Sequence, residues 1–130
     1  MKQKWKNQKK TTTSGQKICN FEYLIQIGGT NKEFVKNILH DFLKQIPEEL
    51  SIINDAINNT DYETIKRICH KMKSTVSILG ISEMGNTLNE MGKLGNEADN
   101  IEKIKVLNHA LIQQGKQVLF EIKIEKSRYI

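Results

Sequence analysis

Three imidazoles, His40, His70 and His109, are the side chains of this sequence best suited to chemistry near neutral pH. A neutral imidazole is a good nucleophile, and an ordinary pKa of about 6.5 keeps much of it neutral in a cell. No other catalytic constellation is legible. No serine or cysteine nucleophile has a recognisable base partner. No His, Glu or Asp cluster has metal-ligand spacing, so no metal is expected. There is no G-x-G-x-x-G and no Walker-type loop for a nucleotide.

His70 stands apart from the other two. The stretch Cys69-His70-Lys71-Met72-Lys73-Ser74-Thr75-Val76-Ser77-Ile78-Leu79-Gly80 reads as the second half of a helix. On a wheel centred on the apolar arc at Ile65, His70 lies about 140° away and faces water. Lys66 is one turn before it, Lys73 and Ser74 one turn after and Ser77 two turns after, all on its face. Exposure and nearby lysine do not single it out: Lys36 and Lys44 flank His40, and Lys105 precedes His109. What does is the small, hydroxyl-bearing surface that follows. One turn after His40 come Leu43 and Lys44, and one turn after His109 come Ile112 and Gln113. Only His70 has a cleared surface suited to meeting phosphate.

The elements that hold this face follow from composition and periodicity. At 130 residues the chain is one domain with a tail. A single proline, Pro47, and the lack of strand alternation point to an all-α chain. The formal charge is +5, yet residues 1–17 hold six lysines and no acid, leaving the remainder near −1. The basic character belongs to the tail, so no nucleic-acid surface is expected on the body. Residues 1–17 read as a disordered tail or linker and 18–125 as a helical bundle. Cys19 and Cys69 follow no framework and read as reduced thiols. No apolar run is long enough to span a bilayer and no signal peptide is visible. A cytoplasmic protein without direct membrane contact is expected.

A short first helix carries Phe21, Leu24 and Ile25 on its apolar side and stops at Gly28-Gly29. Asn31 caps a second, whose stripe runs Phe34, Val35, Ile38, Leu39, Phe42, Ile46, Leu50, Ile53 and Ile57. The stripe keeps its phase across Pro47, which predicts one kinked helix and not two. Asp61 caps the third, with Ile65, Ile68, Cys69, Met72, Val76 and Leu79 inward and Gly80 at its end. Ser82 opens the fourth, with Met84, Leu88, Met91 and Leu94 inward. Its Gly85, Gly92 and Gly95 are expected at the close approach of a neighbour. Asp99-Asn100-Ile101-Glu102 has capping-box spacing before a fifth helix through Ile104, Leu107, Leu111, Val118 and Ile122. Four long helices with short connections predict an antiparallel up-down-up-down four-helix bundle with a short additional N-terminal helix. The stripes leave no large face for self-association, so a monomer is expected.

At this point the chain resembles a known family. His70-Lys71-Met72-Lys73-Ser74-Thr75, with Leu79-Gly80 beyond, is similar to the signature of histidine-containing phosphotransfer domains. There the pattern is histidine, any residue, an apolar residue, lysine, glycine, small residues and a later Leu-Gly. The likeness extends to the short first helix, the Gly-Gly and Glu33-Phe34 opening of the second and the Asp61-Tyr62 start of the third. One position departs: Ser74 stands where the family has glycine.

The resemblance implies a phosphorelay intermediate of two-component signalling. His70 would accept a phosphoryl group from a receiver-domain aspartate and pass it to another receiver. Lys73 would offset charge on the phosphoryl oxygens. Lys66, Arg67, Ser74 and Ser77 are the expected binding residues around them; the hydrogen bonds from the two serines are read from their positions. The expected partners are response-regulator receivers and a hybrid sensor kinase, and the chain reads either as a free-standing protein or as the C-terminal module of such a kinase. The chain needs no cofactor, Mg²⁺ being expected in the receiver. It is then a carrier whose active site a partner completes. The competing reading is a non-catalytic helical adaptor or scaffold that keeps the bundle without the chemistry.

Overall fold

A computed structural model describes residues 17–129. The expected tail, Trp5 included, lies outside the described residues except for Lys17. These described residues form five helices in order: α1 (Glu22–Gly28), α2 (Lys32–Asn58), α3 (Tyr62–Ile78), α4 (Ser82–Glu97) and α5 (Ile101–Lys126). Among the described residues there is no strand. Three residues join each helix to the next, short connections of the kind that link antiparallel neighbours in a bundle. α2 packs on α3, α3 on α4, α4 on α5 and α5 back on α2, so the four long helices close a ring. α1 packs on α2 and covers one end. Among the described residues no helix is long and apolar enough to cross a membrane.

Local chemistry explains the boundaries. The Asn31 side chain accepts the Phe34 N–H at 3.0 Å, and Asp61 accepts the Thr64 N–H at 3.2 Å, so both caps stand where polar residues precede apolar stripes. α2 runs unbroken through Pro47. The fifth helix starts differently from expectation. Asn100, not Asp99, is its cap: Asn100 adopts a left-handed backbone at φ 59° and accepts the Lys103 N–H at 3.2 Å. Asparagine tolerates that conformation better than most residues. This shifts the cap by one and leaves Glu102 outside capping-box register.

The core is built from the inward stripes. Ile65, Met72, Leu39, Ile53, Leu88, Met91, Ile104 and Leu111 are all fully buried, each contributing about 1.5–3 kcal/mol by leaving water. Two residues assigned to the stripes face solvent instead: Ile25 and Phe34. α1 is seven residues long and buries only Leu24, so Ile25, about 100° further round, has no helix to meet. Phe34 occupies the first turn of α2, at the end of the ring.

Candidate functional site

His70 is the central residue of α3, eight positions from either end, and its side chain is exposed. Cys69 and Met72 on either side of it are fully buried. That pins the rotation of the helix and sends the imidazole outward. Burial pushes the Cys69 thiol up to about 12, which keeps it protonated and out of any chemistry. Among the described residues none hydrogen-bonds the His70 ring, so the imidazole is an open surface group and not the middle of a triad.

The neighbours sort into free and engaged. Lys73 is half-buried, on the α4 side of His70, with no carboxylate within 4 Å among the described residues. Ser74, Ser77 and Arg67 are exposed. Lys66 is half-buried and reaches Glu63 at 3.9 Å, a loose surface pair. The expected binding residues thus share one exposed face, with Lys66 partly neutralised.

The other two histidines are exposed as well. His40 is not unoccupied: its Nδ1 lies 3.2 Å from the Lys126 Nζ at the far end of α5. A lysine ammonium donates here, so His40 Nδ1 is the acceptor.

Sequence reasoning missed a polar seam one step from His70. Glu49 of α2 is buried, and Lys71, the residue after His70, reaches its Oε2 at 3.6 Å. Gln45 Nε2 donates to the same oxygen at 3.3 Å and to buried Thr75 Oγ1 at 3.1 Å. A signal was available. Glu49 falls three residues after Ile46 and four before Ile53, in phase with the apolar stripe. Asn108, between Ile104 and Leu111, has the same signature and receives no water-facing position either: it is buried and donates to Asn54 at 3.2 Å.

No group of three or more His, Cys, Asp or Glu side chains that could hold a metal ion occurs among the described residues. What the arrangement can do is expose one nucleophilic ring nitrogen beside a lysine, on a flat helical face that a partner domain can cover.

The family model for the Hpt domain matches residues 37–117, which contain His70 near their middle. This chain belongs to the Hpt domain family. The crystal structure of histidine-containing phosphotransfer protein B (HptB) from Pseudomonas aeruginosa PAO1 has the same fold as this Hpt domain. The TM-score is 0.79 at 16% sequence identity, over 87% of this chain and 97% of that one. The all-α bundle with its extra N-terminal helix is therefore the Hpt fold. No curated protein sequence matches this Hpt chain.

Proposed function

We propose that this Hpt domain works as a phosphorelay intermediate with His70 as its phosphoryl acceptor. The observation that carries the proposal is the solvent-exposed imidazole at the centre of α3 in a chain that matches the Hpt model. In the transfer, the His70 Nε2 lone pair attacks the phosphorus of a receiver's aspartyl phosphate in line. An N–P bond forms as the acyl O–P bond breaks, and that electron pair returns to the aspartate as a carboxylate. The Nδ1 proton leaves to solvent. Lys73 offsets charge on the equatorial oxygens, where one positioned cation is effective. Ser74 and Ser77 add hydrogen bonds, and Lys66 and Arg67 line the approach. The receiver brings Mg²⁺ and the acidic pocket, and docking completes the active site. Transfer to a second receiver reverses the same steps. The upstream partner is a hybrid sensor kinase, and the chain acts as a monomer in the cytoplasm.

The test is labelling. With a phosphorylated receiver and Mg²⁺ the chain takes one phosphoryl group, stable in base and lost in acid as a phosphoramidate is. With ATP alone it takes none. His70→Gln abolishes the label, whereas His109→Gln and His40→Gln retain it. Label persisting in His70→Gln would identify the wrong residue. No transfer from any receiver would leave the adaptor reading in its place.

A further inference from the structure

Glu49 is one of three buried acids among the described residues, with Glu121 and Glu125, that the phosphoryl transfer leaves unused, and it alone of the three meets α3 beside His70. It lies on α2 with 2% of its surface exposed, and its carboxylate is directed across the α2–α3 seam to Lys71. Gln45 holds the same oxygen and ties it to Thr75 of α3. The other oxygen, Oε1, is buried without a hydrogen-bond partner among the described residues. As a stabilising device this is poor. Desolvating a carboxylate is costly, one acceptor is left unmatched, and the Lys71 end is 63% exposed, where solvent screens the attraction. What the arrangement does achieve is to draw one cation beside His70 toward α2.

The geometry of α3 makes that choice of cation consequential. Lys73 lies about 60° round the helix from His70 on the α4 side, and Lys71 about 100° round on the α2 side. Each is a point charge on a flexible four-carbon stem. A phosphoryl group on the ring nitrogen stands outside the helix, within the sweep of either stem. Two ammonium groups on opposite sides would pull the phosphoryl oxygens in opposite directions. Lys71 has an ion-pair partner on α2; Lys73 has none among the described residues.

We propose that Glu49 is a positioning residue that withholds Lys71 from the phosphoryl group on His70, so that Lys73 alone meets it. The inference rests on the reading that His70 is the acceptor. Glu49 touches neither the imidazole nor the phosphoryl group and acts through Lys71.

The experiment is a rescue. Single-turnover labelling from a phosphorylated receiver is measured for wild type, Lys73→Ala, Glu49→Gln/Lys73→Ala and the triple variant that adds Lys71→Ala. Lys73→Ala is expected to slow labelling roughly 10²-fold, the scale of losing one positioned charge. Adding Glu49→Gln releases Lys71, which then substitutes for the missing lysine and restores roughly tenfold of the rate. The triple variant loses that recovery. A purely structural role for Glu49 predicts further loss in the double variant, not recovery. Glu49→Met, similar in volume and without charge, repeats the test should the glutamine variant unfold. Absence of rescue in both backgrounds overturns the proposal, as does rescue that survives Lys71→Ala, or a Lys73→Ala variant as fast as wild type. Failure of wild type to label from any receiver would remove the acceptor reading and this inference with it. A labelled wild type without rescue removes the inference alone.

Discussion

Gly95 of α4 lies directly against the backbone of Lys66 in α3. A Cβ at position 95 would stand 3.2 Å from the Lys66 nitrogen and 3.3 Å from the Tyr62 carbonyl oxygen. Backbone atoms in a helix cannot give way as a side-chain tip can. This contact sets the spacing of the two helices one turn before His70. The other glycines of α4 facing α3 are less confined. A Cβ at Gly92 would meet the Cys69 Cβ at 3.6 Å, and one at Gly85 the Val76 Cγ1 at 3.8 Å, ordinary contacts in both cases.

The three positions should therefore separate on substitution. Gly85→Ala and Gly92→Ala should each stabilise the fold by up to about 1 kcal/mol through helix propensity. Gly95→Ala should destabilise it, because overpacking costs about 1–3 kcal/mol and exceeds the same gain. Urea unfolding of the three variants decides. A stabilised Gly95→Ala would show that α4 moves away from α3 without resistance.

Lys73→Ala should slow labelling of His70 and leave the melting temperature within about 2 °C of wild type, since partly exposed surface substitutions usually cost under about 0.5 kcal/mol. Thermal unfolding beside transfer kinetics checks both halves. A large drop in melting temperature would assign Lys73 to packing.

Glu121 ties the start of the chain to α5. Its buried carboxylate accepts the Ile18 N–H at 2.9 Å and the Cys19 N–H at 2.8 Å. Burial and the facing Glu121 charge also push the Cys19 thiol far above its ordinary range. Glu121→Ala should cost about 1.5–3 kcal/mol, the worth of hydrogen bonds to a charged group. It should also speed alkylation of Cys19 while Cys69, in the middle of α3, stays slow. Mass spectrometry of thiol labelling distinguishes the two sites. Equal rates at Cys19 in both proteins would mean that the segment is held by Phe21 and not by the carboxylate.

Glu49 gives the stability a pH dependence of predictable sign. Burial raises its carboxyl above the ordinary value near 4.5, with Lys71 opposing. The folded state then keeps a proton to higher pH than the unfolded state. Stability from this group is full below about pH 4.5 and is lost as pH rises through the folded value. Glu49→Gln removes the titration, so its advantage over wild type should grow between pH 4 and pH 7. Unfolding at both pH values tests it. An advantage that shrinks with pH would show that attraction to Lys71 outweighs desolvation.

The architecture was legible because its determinants are local. Helical spacing of Ile65, Met72 and Val76 fixes which side of α3 is inward whatever packs against it, and so places His70 outward. Asn31 and Asp61 cap their helices through bonds to residues three positions on, which a sequence displays directly. The proposed acceptor face is one helical surface, so its members could be named together from spacing alone. The family signature and the wheel point to the same residue for independent reasons.

Only the tertiary structure decided what lies across the seams. Nothing in the local sequence pairs Lys71 with Glu49, 22 positions away on another helix, or Cys19 with Glu121, 102 positions away. Their phase within apolar stripes marks Glu49 and Glu121 as buried, but the partner depends on the axial offset between two helices. That offset comes from contacts such as Gly95 on Lys66 and Gly115 against Leu50. Periodicity is a property of one helix and reports which way a side chain points. Register is a property of two, set by close packing, and it alone determines which of the lysines beside His70 is left free.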